Sequence, residues 1–398
     1  MSRGPIFHPV NKKGQEEKTW TVRYEAPPDP ETGKRREVWK RGFVKYGDAK
    51  KWLNEQLAAI DKGEHVTPSK MKLTKYLRDE WLPGMRASVR PGTYDSYELL
   101  CRKYIIPRLG GIELQSLTTG RIKAFYNNEL LLSGGADGGP LAGKTVRNVA
   151  AVLHCALEEA AALSYIPRNP ATKAKLPARN QPEMQTWNEE QVRAFLATVA
   201  VDHGQRGSEA AERRLFAAWR LMLTTGMRRG EVIGLRWSDV SPDLGRLQIT
   251  STRVRAAKGV TTGPPKTDAG RRYIALDPTT VAALKAWRKY HREHERMPIG
   301  PRYIDSGLVF VNPDGSGITP NRLSIWFRSA AKRSGLPAIR LHDLRHTYAT
   351  IALRRGTPVK VVSARLGHAS IAITLDLYAH ALPQDDESAA GSIEAAYE

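Results

Sequence analysis

The stretch LHDLRHTYAT, residues 341–350, sets His342, Arg345 and His346 within five positions at the predicted entrance of an apolar helix. A helix N-terminus already favours anions through its unbonded N–H groups and its dipole. A guanidinium and an imidazole added there suit a phosphate. Three other stretches carry comparable residue types. TTGMRRGEVIGLRWSDV places Arg228 in a turn entering a helix, with Glu231 three residues on and on the same face. PPKTDAGRRYIAL places Lys266 just before a strand, and LGHASIAITLDLYAH carries His368 and then Tyr378. Taken one at a time, each has an ordinary structural reading. Arg228 and Glu231 make an ion pair, Lys266 is solvated, His342 is a cap or a core histidine, and Tyr378 is a core aromatic with its hydroxyl in water. His346 is read as structural and facing the fold, because adjacent positions of one helix cannot present themselves to one guest.

Charge narrows the choice. Lysine and arginine total 62 against 41 acids, a formal net charge of +21. Such an excess favours a polyanionic partner, most simply nucleic acid, over a plain solubility surface or a ribosome- or membrane-associated role. No apolar run reaches membrane-spanning length, and the N-terminus lacks the apolar core of a signal peptide. The two cysteines, Cys101 and Cys155, lie far apart, which fits a reduced cytoplasm and neither a disulfide nor a zinc scaffold. No carboxylate cluster stands ready for a metal, so neither metal nor cofactor is expected.

The elements that must position these residues fall into an α+β, multidomain and mainly α chain with small β-sheets. Residues 1–65 read as a β-β-β-α unit. KTWTVRYEA alternates Trp20, Val22 and Tyr24 against Thr21, Arg23 and Glu25. PPDPETGK is turn chemistry, REVWKRGF resumes a strand, and a short strand between Pro5 and Pro9 pairs across NKKGQEE. Asp48 is expected to cap a helix bearing Ala49, Trp52, Leu53, Leu57 and Ile60, ended near Gly63. A three-stranded sheet with basic residues on its uncovered face can enter a DNA major groove, and Arg23, Lys40 and Arg41 are candidate DNA contacts.

Residues 70–180 read as helical. Thr93 and Thr118 are candidate caps, and Val146, Val149, Leu153 and Leu157 form an apolar stripe. Lys103, Arg121, Lys144 and Arg147 fall off the stripes and are candidate phosphate contacts, or else a solvated face. The Pro-containing, basic stretch 171–186 reads as a linker. Residues 187–383 mix helices with one small sheet, whose strands RLQITST and RRYIALD flank a hairpin region holding Lys266. The tail 384–398 has five acids and no base, which suits contact with protein or a disordered solubility tail.

In this order the four stretches resemble the tyrosine recombinase or phage integrase family. The family pattern of Arg, Lys, His-x-x-Arg, His/Trp and Tyr is matched at Arg228, Lys266, His342, Arg345, His368 and Tyr378, within the words TG-x-R-x-x-E, KT, HDLRHTYAT and LGH. The resemblance implies an arm-type DNA-binding domain over 1–65, a helical SAM-like core-binding domain over 70–180 and a catalytic domain over 187–383. It further implies strand cleavage through a 3′-phosphotyrosine. Tyr378 is then the nucleophile. Arg228 and Arg345 clamp the phosphate, and Lys266 protonates the leaving oxygen, with Lys258 a rival on the same segment. His342 takes or positions the tyrosyl proton, His368 bonds a non-bridging oxygen, and Glu231 orients an arginine or His342.

The expected partners are duplex DNA at core-type and arm-type attachment sites, and three further copies of the chain in a homotetramer. A host bending factor and a directionality factor join them, with no membrane. The expected setting is the cytoplasm of a bacterial host, at the nucleoid. A type IB topoisomerase, a Xer-type dimer resolvase and a catalytically silent architectural protein remain the alternatives.

Overall fold

A computed structural model describes residues 5–381 apart from 11–13, 29–32, 62–64, 136, 178–183, 202–208, 257–258 and 266, with the side chains of 201, 209–213 and 380 also set aside. Parts of the expected turns at 11–17 and 27–34, Gly63, part of the linker, Lys258, Lys266 and the acidic tail therefore lie outside the described residues. The chain is mainly helical with small sheets, and it divides into two compact units, residues 1–181 and 182–398.

The first unit holds two separate cores. An antiparallel sheet of β1 (Ile6–Phe7), β2 (Trp20–Ala26) and β3 (Arg36–Phe43) runs in the order β1-β2-β3, with Val22 opposite both Ile6 and Lys40. Helix α1 (Tyr46–Asp61) covers one face and buries Ala49 and Leu53 against Val22, Tyr24 and Ala26. The alternation in β2 is broken at Thr21, which is also buried, because the register with β3 shifts between Trp20 and Val22. Helix α1 begins at Tyr46, so Asp48 sits in its first turn instead of capping it.

Beyond the sheet, four helical runs pack around Tyr76, Trp81, Ile105, Phe125, Leu153 and Leu157. They are α2 (73–88), α3 (91–109), α4 (119–130) and α5 (Gly143–Ala162). The stripe Val146, Val149, Leu153 and Leu157 is fully buried, as its spacing predicts. Thr118 caps α4 by accepting the Arg121 N–H at 3.2 Å. Thr93 does not cap: α3 starts at Pro91, whose fixed φ and missing N–H fit a first helical position. The turns at 76–81 and 101–105 widen to i→i+5 bonding just ahead of Pro83 and Pro107, whose rings reject the carbonyl four residues back.

The second unit carries the chemistry. Helix α6 (Glu189–Val201) opens with a reciprocal cap, Asn188 accepting the Gln191 N–H at 2.8 Å and Gln191 accepting that of Asn188 at 2.9 Å. Helix α7 (Glu209–Thr225) ends at Gly226 and leads into the short α8 (Arg229–Gly234). A three-stranded antiparallel sheet follows, of β4 (Val240–Ser241), β5 (Arg246–Ile249) and β8 (Arg272–Ala275) in the order β4-β5-β8. The chain between β5 and β8 forms its own ribbon, β6 (Thr252–Ala256) with β7 (Gly259–Gly263).

Helices α9 (278–299) and α10 (Pro320–Arg333) close the main core, where Trp187, Phe195, Trp219, Trp287 and Phe327 are buried. The last three helices, α11 (Asp343–Arg354), α12 (Val359–Leu366) and α13 (Ile371–Tyr378), share a smaller core of Ala349, Leu353, Val362, Leu366 and Tyr378. Among the described residues no helix is long and apolar enough to cross a membrane.

Candidate active site

Two left-handed glycines shape the site. Gly226, at φ +66°, turns the chain out of α7, and a Cβ there would come within 2.5 Å of the Tyr348 ring. Its carbonyl accepts Arg345 Nη1 at 2.9 Å. Gly367, at φ +67°, ends α12, and a Cβ there would lie 2.8 Å from Arg272 Nη1 and 2.9 Å from the Ala269 carbonyl. Its carbonyl accepts Arg228 Nη2 at 3.1 Å. Each of the two predicted phosphate-binding arginines is thus tied by one N–H to a backbone oxygen.

Glu231 sits beneath Arg228, as the three-residue spacing predicts, and is 3% exposed. Its Oε2 accepts the Arg228 backbone N–H at 2.9 Å and its Oε1 accepts Arg228 Nη1 at 2.9 Å. A second guanidinium, Arg272 of β8, donates to both oxygens, at 3.2 Å and 2.9 Å. Arg272 also donates to the Arg365 and Gly270 carbonyls, and so fastens β8 to the end of α12. Burial pushes the Glu231 carboxyl up, but the bonds and charge of Arg272, joined by Arg228, outweigh it and hold it below the usual carboxylate range. Of the two expected clients of Glu231, the arginine is the one observed.

Arg345 is 2% exposed, and its Nη2 has no hydrogen-bond partner among the described residues. A buried, unmatched guanidinium N–H is costly, about 1–3 kcal/mol or more, unless an acceptor serves it. Burial, with the charge of Arg228, pushes its pKa down to about 9. Burial likewise pushes His342 and His368 down to about 4, His342 helped by His346 and Arg345, and His368 by Arg345 and Arg228. Each of these shifts has the sign that an anion placed among the groups reverses. His368 shares a 2.8 Å hydrogen bond through Nδ1 with Thr374 Oγ1, and no protein bond to its Nε2 is found among the described residues.

Tyr378 ends α13 at 1% exposure. Burial pushes its phenol up to about 12, while the nearby charges of Arg345 and Arg228 pull the other way. The structure thus gathers Arg228, Glu231, His342, Arg345, His368 and Tyr378, with Lys266 outside the described residues. One contact departs from the sequence reading. His346 is buried, as expected, but its Nδ1 lies 2.6 Å from the Tyr378 hydroxyl. The His342 ring stands edge-on to His346 at 5.0 Å between centroids, and the described hydrogen bond of the phenol goes to His346. The signals available were HDLRHT itself and the paired arginines of GRRYIAL, neither of which says which distant partner each residue meets.

The candidate DNA contacts elsewhere are of two kinds. Lys40, Arg41, Lys103 and Lys144 are exposed, and Arg23 lies 3.3 Å from Glu37 with its guanidinium over the Trp39 ring. Arg121 instead pairs with Glu129 and donates to the Arg108 carbonyl, and Arg147 donates to the Pro177 carbonyl. Those two guanidiniums hold the helical unit together, because a half-buried arginine finds internal acceptors. Among the described residues no group of His, Cys, Asp or Glu is placed to hold a metal ion.

Comparison with known proteins agrees with this layout. The sequence model of the phage integrase family matches residues 185–385, the N-terminal SAM-like domain of phage integrases matches 75–130, and an arm DNA-binding domain matches 9–60. A "tyrosine recombinase XerC-like" protein of Caldanaerobacter subterraneus subsp. tengcongensis is 28% identical over 359 residues, covering 87% of this chain and 88% of its own. The ICEBs1 integrase of Bacillus subtilis is 25% identical over 320 residues, covering 79% and 80%. In fold, the chain is similar to the Tn1549 transposon integrase in complex with a circular intermediate DNA, with TM-score 0.66, 20% identity and coverage of 81% and 99%. It is also similar to a lambda integrase tetramer bound to a Holliday junction, with TM-score 0.56, 17% identity and coverage of 94% and 95%. With the matched model spanning half of its length and the buried arginine–tyrosine site inside that span, this chain belongs to the phage integrase family of tyrosine recombinases.

Proposed function

We propose that this site-specific recombinase cleaves one strand of duplex DNA by attack of the Tyr378 oxygen on a backbone phosphorus. The bond from that oxygen to phosphorus forms, the bond from phosphorus to the 5′ oxygen breaks, and a 3′-phosphotyrosine is left. Arg228 and Arg345 bind the non-bridging oxygens and stabilise the charge of the pentavalent transition state. His368 adds a hydrogen bond to a non-bridging oxygen. His342, expected from the sequence to take or position the tyrosyl proton, is assigned to the same oxygens instead, because the described hydrogen bond of the phenol goes to His346. Lys266 gives the departing oxygen its proton. Because the phosphotyrosine conserves the bond energy, a 5′ hydroxyl from a second duplex reverses the step on a new strand without a nucleotide cofactor.

The observation that carries this reading is the unpartnered Nη2 of buried Arg345 beside a buried phenol. Among the described residues Arg147, Arg214, Arg220 and Arg253 also carry an unmatched buried nitrogen; that of Arg345 differs in lying within electrostatic reach of both the Arg228 guanidinium and the Tyr378 phenol. Two duplexes must be held for exchange, and the lambda relative bound to a Holliday junction as a tetramer supports four protomers here. The exposed basic residues of β3 are assigned to arm-type sites and those of the helical unit to core-type sites. A host bending factor and a directionality factor complete the assembly.

The test is a nicked suicide duplex carrying the attachment core, with the adduct read as a band shift on a denaturing gel. Wild type accumulates the adduct, whereas Tyr378→Phe binds DNA with unchanged affinity and forms none. An adduct formed by the Phe variant would remove Tyr378 from the mechanism. Relaxation of any supercoiled plasmid without matched sites would move the chain to the topoisomerase class.

A further inference from the structure

We propose that His346 accepts the proton of the Tyr378 phenol as that oxygen attacks phosphorus; this rests on Tyr378 being the nucleophile. The two side chains come from different helices, α11 and α13, and meet at 2.6 Å between Nδ1 and the hydroxyl oxygen, with ring centroids 5.7 Å apart. His346 is 9% exposed and Tyr378 is 1% exposed, so bulk water does not compete freely for this proton. A phenol has one proton to donate, and Nδ1 is the acceptor found for it among the described residues. That arrangement puts the imidazole hydrogen on Nε2.

The adjacency of Arg345 and His346 becomes intelligible on this basis. Successive helix positions point about 100° apart. One side of α11 therefore sends Arg345 to the Gly226 carbonyl and the phosphate, while the next sends His346 to α13. Two neighbouring residues serve two reacting groups, not one. The groups facing His346 are Asp343, which raises its pKa, Arg345 and Arg340, which lower it, and the His342 ring and the phenol. Burial is the largest influence and lowers it, which keeps the imidazole neutral and able to accept a proton near neutral pH. In the step, the O–H bond of Tyr378 breaks and an N–H bond forms at Nδ1. The phenolic electron pair makes the bond to phosphorus, and the proton returns when the strand is rejoined.

The test uses the full chain and a suicide duplex carrying its own attachment core, identified from the direct repeats flanking the integrated element, in single-turnover cleavage. His346→Asn sets an amide oxygen near the place of Nδ1, so it keeps a hydrogen-bond acceptor but loses the basicity. His346→Ala loses both. Both variants are expected to bind DNA as wild type does and to form the adduct about 100- to 10,000-fold more slowly, the usual range for a lost general base. Replacing the bridging 5′ oxygen of the DNA by sulfur makes a leaving group that needs no proton. It should leave the His346 defect in place, because the defect lies on the nucleophile's side. The rate of His346→Asn should climb with pH as solvent base takes over. Wild-type cleavage by His346→Asn, or restoration of its rate by the sulfur substitution, overturns the proposal. Should His346→Ala fold poorly, His346→Asn alone decides. Loss of the adduct in Tyr378→Phe with normal cleavage in His346→Asn removes this inference and leaves the proposed function standing. An adduct in Tyr378→Phe removes both.

Discussion

Two helix entrances in the second unit use one local device for different ends. At α8, Glu231 accepts the backbone N–H and the guanidinium of Arg228, three residues before it. At α11, Asp343 accepts the backbone N–H of Arg340 at 2.7 Å and its guanidinium at 2.8 Å, again across three residues. Both carboxylates are buried, Glu231 at 3% and Asp343 at 2% exposure. The difference lies in the partners. Arg340 has its side chain 78% exposed, and it forms with Asp343 a neutral clasp at the helix start. Glu231 also holds Arg272, so two guanidiniums share one carboxylate and the cluster keeps a net positive charge. The same cap gains an excess positive charge where a second cation from another element is added, and that is the entrance assigned to the phosphate in the proposed function.

Breaking the richer entrance should cost the most. Glu231→Gln leaves Arg228 and Arg272 facing a neutral amide inside the protein, and about 3–5 kcal/mol of stability should be lost, the usual cost of breaking a buried pair. Denaturant unfolding gives that figure, and single-turnover cleavage should fall with it because Arg228 loses its anchor. A loss under 1 kcal/mol would mean that the three-residue spacing, not the shared carboxylate, holds the entrance.

The second prediction concerns acid. Glu231 titrates lower in the fold than the ordinary value of 4.5, so the unfolded chain takes up the proton first. Its contribution is complete above pH about 4.5 and is lost as pH falls through the folded value. The acid limb of the stability curve should therefore be shallower in Glu231→Gln than in wild type. At the simpler entrance, Asp343→Asn keeps an acceptor for the Arg340 N–H and loses the ion pair, for about 1–2 kcal/mol by thermal or denaturant unfolding. Arg340→Ala takes the guanidinium from a buried carboxylate that keeps, among the described residues, only the backbone N–H of residue 340, so it should cost about 1–2 kcal/mol, close to Asp343→Asn and below Glu231→Gln. Equal effects at the two entrances would erase the distinction drawn between them.

What the sequence disclosed follows the range of the interactions. Glu231 under Arg228, Thr118 capping α4, and the buried stripe of α5 all depend on residues within one or two helical turns. The spacing that predicted them is the spacing that makes them. Arg272 lies 41 positions from Glu231, and Tyr378 lies 32 from His346. No periodicity links such pairs; the paths of β8 and α13 do. His346 is buried as its place on α11 implies, but that α13 brings Tyr378 to it is set by the path of a second helix, which the spacing within α11 does not carry. Asp48 and Thr93 lie inside their helices, not at the caps, because the helices begin earlier, at Tyr46 and Pro91. Arg121 and Arg147 lay off the apolar stripes, yet found carboxylate and carbonyl partners that periodicity does not reveal.

The two left-handed turns carry a last consequence. Arg345 leans on the carbonyl of residue 226 and Arg228 on that of residue 367, so the direction of both cations is written into main-chain atoms. Under the proposed function, side chains elsewhere can then be exchanged without turning the two guanidiniums away from the phosphate they are assigned.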